Sequence, residues 1–157
     1  MRSEYPIELA SEVGYVVLEA AAAEDTSGEI LGLLAGDQQF PYQWSRSGTQ
    51  LIERMRSETR LTETCKGAVE TLGTLHDLRN RVVHGVWVHD GNQWFTLRRT
   101  LKSAKSDEPP TYEASGWIRE GLLNLAEGFR EVRAVLDAEV SLIMGVHGTE
   151  RDLPTGP

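Results

Sequence analysis

The chain has a single cysteine, Cys65, among its 157 residues. One thiol cannot close an internal disulfide, and a chain without disulfides fits a reducing compartment. The chain also lacks any run approaching the roughly 18 apolar residues of a membrane span. Its first residues, MRSEYPIELASEV, place acids where a secretory leader needs an unbroken apolar core. These absences lead us to expect a cytoplasmic protein with no membrane partner. There is no internal repeat and no low-complexity block, and the length suits one domain that buries a substantial core without staples.

Basic residues are scarce as well: 16 Lys and Arg stand against 24 Asp and Glu, a formal net charge of −8. A surplus of acid opposes binding to a polyanion. The charge is unevenly spread, however. Residues 1–45 hold one Arg and eight acids, residues 106–157 four Arg and ten acids, and residues 46–105 eleven Lys or Arg and six acids. A phosphate-bearing partner is therefore compatible only with the middle third.

What is present is mostly helical periodicity. Leu9, Val13, Val16, Val17 and Ala20 recur at helical spacing after Pro6, a residue favoured at a helix start. Thr26 and Glu29 have the spacing of a capping box, and Gly36 suits a helix end, so TSGEILGLLAG predicts a separate, short second helix. Phe40, Tyr42 and Trp44 in the connector that follows are expected as a lid on the core. Ser47 and Gln50 form a second capping box, and from there to Val83 the pattern is helical with an interruption near Thr59 to Thr62.

The period then changes. GVWVHDGNQWFTLRRT alternates about Asp90-Gly91-Asn92, which predicts a β-hairpin with strands near 85–89 and 93–99. After the charged loop KSAKSDEPPTY, apolar residues at Ile118, Leu122, Leu125, Phe129, Val132, Leu136, Val140 and Ile143 describe one long amphipathic helix ending at Gly145. Residues 146–157 lack periodicity and are expected to form a disordered tail behind a single domain of residues 1–145. The fold class is mainly α, an antiparallel helical bundle with one β-hairpin inserted before the long C-terminal helix.

The stretch DLRNRVVHGVW, residues 77–87, carries the chemistry. With Leu72 at zero and about 100° per residue, Ala68, Leu75, Val82 and Val83 fall within about 80° of it, and Arg79 falls inside the same arc at about 340°. A cation on an apolar arc must find a buried partner, snorkel or face a cleft. Asn80 and His84, four residues apart, share one flank of that arc. Asp77 and Arg81 lie on the polar side and are expected to pair with each other in solvent. A His in the last turn of a helix before a glycine also has an ordinary reading, since it complements the C-terminal dipole. Capping does not account for Arg79.

Arg79-Asn80-Arg81-Val82-Val83-His84 resembles the signature of HEPN domains: an Arg, a polar residue, a short spacer and a His near the end of a bundle helix. The resemblance implies an all-helical nucleotide-binding or ribonuclease domain in which Arg79 and His84 act on RNA without a metal and Asn80 orients the site. It further implies a homodimer whose two motifs face one cleft. In the toxin branch, it implies an antitoxin protein as partner. Some family toxins silenced by a nucleotidyltransferase carry a Tyr two residues after the His, where this chain has Val86, so that switch is not expected here. Other family members bind a nucleotide, RNA or protein without catalysis, which supplies the alternative reading.

The residue types suit the implied reaction. Cleavage of RNA by its own 2′-hydroxyl needs proton transfer and cationic stabilisation of the developing phosphorane charge. Histidine titrates near neutrality, and the arginine fork matches phosphate oxygens. Trp87, Trp94 and Phe95 with Arg98, Arg99, Lys102 and Lys105 resemble a stacking surface with a basic edge for single-stranded RNA, although packing of the aromatics on the bundle is the simpler reading. His76, His84, His89, Asp77 and Asp90 include no pair that presents two ligands on one helical face, so neither a metal nor another cofactor is expected. Cys65 is expected as a small buried residue.

Overall fold

The structure is a computed structural model, and residues 5–36, 46–100 and 111–151 are described. Among these are four helices, α1 (Ile7–Ala35), α2 (Gly48–Ser57), α3 (Glu63–His84) and α4 (Arg119–Arg151), and three strands, β1 (Val86–His89), β2 (Trp94–Thr100) and β3 (Thr111–Trp117). None of these helices is long and apolar enough to cross a membrane.

Helix α1 is continuous where the sequence predicted two helices. Thr26 and Ser27 do not cap a new helix. Their hydroxyls donate back to the carbonyls of Ala22 and Ala23 at 3.2 and 2.8 Å, so the ladder passes through them. Thr26 also donates to Asp137 on α4 at 3.2 Å, which explains a buried hydroxyl at that position. Gly36, at a φ of 84°, ends the helix as expected. The expected Phe40, Tyr42 and Trp44 lid lies outside the described residues.

The Ser47 and Gln50 box forms: the Ser47 amide donates to Gln50 Oε1 at 3.2 Å at the head of α2. The expected interruption falls at 58–62, where Arg60 bridges two elements. Its Nε and Nη2 donate to the Glu58 carboxylate at 2.8 and 2.7 Å, while its Nη1 donates to the Leu34 carbonyl in the last turn of α1 at 2.9 Å. That fork holds the Glu58 carboxyl down at about 2. At the head of α3, Thr62 Oγ1 accepts from the Cys65 amide at 3.2 Å, and Thr62 itself donates to Glu139 of α4 from both its amide and its hydroxyl.

The core runs between the helices and is filled by Val16 and Ile30 of α1, Met55 of α2, Leu72 and Val82 of α3, and Leu122, Phe129 and Leu136 of α4. Pairings across the bundle give the helix directions. Thr62 meets Glu139 and Leu75 meets Gly128, so α3 and α4 are antiparallel. Glu12 pairs with Arg119, Glu19 with Arg130 and Thr26 with Asp137, so α1 and α4 run parallel along their shared face. The antiparallel expectation therefore holds for α3 and not for α1 against α4. Three long helices in sequence alternate direction, and the first and third must agree.

The expected hairpin forms, closed by Asp90, whose Oδ1 accepts from the amides of Asn92 and Gln93 at 2.8 and 3.0 Å. The sequence reading missed a third strand: β3 pairs antiparallel with β2, giving the order β1-β2-β3. TYEASGW turns Glu113, Ser115 and Trp117 inward, so it shows no apolar alternation to read. Ile118, expected on the core face of the last helix, precedes α4 and is exposed. Helix α4 passes through Gly145 to Arg151, so the expected end at Gly145 is corrected, and residues 152–157 of the expected tail lie outside the described residues. A single helical glycine costs only about 1 kcal/mol, too little to stop a long helix.

Candidate functional site

The site is built on the second half of α3, where that helix is held by both its neighbours. Gly85 lets the chain leave α3 directly into β1: a methyl group there would lie 2.5 Å from the Arg81 carbonyl and 2.6 Å from Thr96 Cβ. Trp87 then folds back and donates from Nε1 to the Val82 carbonyl at 2.9 Å, satisfying an acceptor of the last turn. Trp117 donates to Thr96 Oγ1 at 3.0 Å. Trp87 and Trp117 both pack against the core, so these indoles are structural.

Arg79 and Asn80 are brought together as expected: Arg79 Nη1 donates to Asn80 Oδ1 at 3.1 Å, and both side chains are half-buried. Arg79 Nε is enclosed and has no acceptor among the described residues. Asn80 Nδ2 lies 3.2 Å from His76 Nδ1, one turn earlier on α3. His76 is only 8 % exposed, and its Nε2 lies 3.4 Å from Glu24 Oε1 on α1. That last contact has the distance of an ion pair without the alignment of a hydrogen bond, so Glu24 Oε1 is a buried acceptor without a donor among the described residues.

His84 is placed differently. It is the last residue of α3, is exposed, and its ring makes no hydrogen bond among the described residues. Five residues separate it from Arg79, about 140° around the helix, so within one chain the two look out in different directions.

The expected Asp77 to Arg81 pair does not form. Arg81 reaches across to β3 and pairs with Glu113 at 2.8 Å, with Ser115 Oγ at 3.4 Å. The inserted third strand, absent from the sequence reading, supplies that partner.

Of the four expected RNA-binding cations, Arg98 and Arg99 are exposed on β2, whereas Lys102 and Lys105 lie outside the described residues. Arg98 is in register with Glu113, and Arg99 with Tyr112. Neighbouring residues of a strand face opposite sides, so the two arginines do not share one surface. Trp94 and Phe95 are likewise on opposite faces, with Trp94 near Tyr5 and His89 at ring distances of 5.5 and 5.0 Å.

The sequence reading missed Glu24 and His76 as part of this site. His76 was legible from its spacing, four residues before Asn80 on the same arc, but Glu24 arrives from α1 through a long-range contact that no local pattern records. Among the described residues, no group of three or more His, Cys, Asp or Glu side chains has a metal-binding arrangement. Comparison of the chain with protein-family models, with curated proteins and with solved structures finds no match.

Proposed function

We propose that the chain is a metal-independent endoribonuclease of toxin or defence type that cuts RNA by attack of its own 2′-hydroxyl. Arg79 holds the scissile phosphate, Asn80 orients Arg79, and His84 transfers a proton. The observation that carries the reading is the Arg79 guanidinium: half-buried, held on one side by Asn80, with an enclosed Nε donor that no described residue satisfies. An enclosed donor on a permanent cation favours an anionic oxygen, and a fork suits phosphate.

A single exposed His84 does not serve as both acid and base in one step. Two copies facing one cleft would provide two histidines and would bring the His84 of one chain toward the Arg79 of the other. The partners of this reading are RNA, a second copy of the chain and an antitoxin protein.

Cleavage of single-stranded RNA in EDTA, leaving 2′,3′-cyclic phosphate ends, tests it. His84→Ala is expected to lose cleavage by about 10²- to 10⁴-fold with little loss of affinity, and Arg79→Ala to lose both. Equal cleavage by wild type and His84→Ala would refute the enzyme.

One observation favours a second reading. Catalytic histidines are oriented by a hydrogen bond to the second ring nitrogen, and the His84 ring has none among the described residues. The alternative is a non-catalytic module that binds a nucleotide, RNA or protein at Arg79 and Asn80. Binding of RNA without cleavage by wild type selects it.

A further inference from the structure

The contacts around Arg79 continue past the residues of the signature, and they have one consistent direction. Arg79 Nη1 can only donate, so Asn80 presents Oδ1 to it at 3.1 Å. The Asn80 amide then turns its NH₂ toward His76 Nδ1 at 3.2 Å, which makes Nδ1 an acceptor. A neutral imidazole with an acceptor at Nδ1 carries its proton on Nε2, and Nε2 lies 3.4 Å from the Glu24 carboxylate, near enough for attraction but out of line for a hydrogen bond. The guanidinium thus fixes the proton arrangement as far as the ring, and the negative carboxylate beside Nε2 favours the same one.

The Glu24 and His76 end of the array is enclosed, and three helices meet there. A methyl group at Gly48, the first residue of α2, would lie 2.5 Å from both Glu24 Oε1 and His76 Nε2, so the backbone of α2 closes over their contact. If His76 carried its proton on Nδ1, two donors would meet, and the Asn80 amide would have to turn its NH₂ toward Arg79 as well. The Arg79 contact would then be lost.

We propose that Glu24 and His76 are positioning residues: the Glu24 charge favours the Nε2-protonated tautomer of His76, whose Nδ1 then fixes the Asn80 amide and thereby aims the Arg79 guanidinium at a phosphate. This deepens the reading in which Arg79 binds RNA phosphate and rests on it. The assignment extends the site from three residues on one helix to an array joining α1 and α3.

Two substitutions separate positioning from bulk. His76→Asn keeps an acceptor close to the place of Nδ1, whereas His76→Gln places its amide near Nε2 and leaves Asn80 without its partner. The full-length ¹⁵N-labelled chain is followed by long-range proton–nitrogen correlation of the imidazoles, with His76 assigned by its loss in the variants. Affinity is read by fluorescence anisotropy with a 2′-O-methyl single-stranded RNA, which cannot be cut.

The wild-type ring is expected to be neutral and protonated at Nε2. His76→Asn is expected to bind within about threefold of wild type, and His76→Gln about tenfold more weakly with a displaced Arg79 Nε–H resonance. A ring protonated at Nδ1 or at both nitrogens at neutral pH overturns the proposal. So does an Arg79 resonance and an affinity that are the same in the two variants. If wild type binds no RNA, the ribonuclease and RNA-binding readings fail, and the His76 tautomer together with the Arg79 resonance in the two variants still decides whether the array positions Arg79.

Discussion

Asn80 Nδ2 and His76 Nδ1 lie 3.2 Å apart, one turn of α3 from each other, and this contact divides the candidate site into two parts. Behind it lie Glu24 and the closing backbone of α2, both inside the bundle. In front of it is Arg79, half in solvent. Of the three residues of the Arg-polar-His signature, two are tied to the interior by this contact. The third, His84, is the exposed last residue of the helix. The part of the site proposed to bind phosphate is therefore positioned within one chain, while the part proposed to move a proton depends on what His84 meets.

Gly48→Ala tests how tightly the interior part is closed. The added methyl would lie 2.5 Å from a buried carboxylate oxygen and from a buried imidazole nitrogen, and the ring cannot move as freely as the glutamate. We expect a loss of about 1–3 kcal/mol, read as a melting temperature lower by several degrees in circular dichroism. Gly67→Ala is the control: nothing among the described residues lies within 4 Å of the new methyl in the second turn of α3, and the gain in helix propensity should stabilise the chain by about 0.5–1 kcal/mol. Equal melting of the two variants would show that α2 does not close over the Glu24 and His76 contact.

Cys65 should be inert in the native protein. Burial pushes its thiol up to about 12, and the Glu139 charge adds to this, so almost no thiolate exists near neutrality. A maleimide or disulfide reagent at pH 8 is expected to react only at the rate of unfolding and to become fast in denaturant. Rapid labelling of the folded chain would contradict this burial.

The helices were legible in the sequence where one side of the pattern stays apolar, as in the run from Leu122 to Leu136, because burial of that stripe is what the helix is for. Two boundaries misled for opposite reasons. Thr26 and Glu29 have cap spacing, yet Thr26 is buried against Asp137, a partner 111 residues away. Strand β3 turns Glu113 and Ser115 inward to meet Arg81, so its inner face is polar and its pattern silent. Arg79 was conspicuous because a cation interrupts an apolar arc. His76 was legible by its spacing from Asn80, whereas Glu24 was not, since its meaning comes from a contact between helices.

The Glu58 carboxyl, held at about 2 by Arg60, gives the fold an acid limit. A folded value below the ordinary carboxylate one means that the unfolded chain takes up the proton first, so this stabilisation is complete above about pH 4.5 and disappears as pH falls toward 2. Glu58 is 7 % exposed while Arg60 is 56 % exposed, and solvent at the arginine reduces the contribution to about 1–2 kcal/mol. Glu58→Gln should lower stability at pH 7 by that amount and flatten its pH dependence between 4.5 and 2. An unchanged slope in urea titrations across that range would remove Glu58 from the account.

Arg98 and Arg99 offer a test of how RNA would lie on the sheet. If all four cations of LRRTLKSAK formed one basic edge, replacing either arginine by Gln would reduce the salt dependence of RNA binding equally, by about 0.7 in log–log slope for each lost single-strand phosphate contact. The strand places them on opposite faces, however, and Arg98 shares its side with Glu113, which already pairs with Arg81. A neighbouring carboxylate offsets part of the Arg98 charge, whereas Arg99 lies beside exposed Tyr112, a ring on which a base can stack. We therefore expect Arg99→Gln to weaken binding and lower the slope, with Tyr112→Ala weakening binding at unchanged slope and Arg98→Gln nearly silent. Equal effects of the two arginine variants would place RNA across the strand end rather than along one face, and no effect from either would leave both as solvated surface.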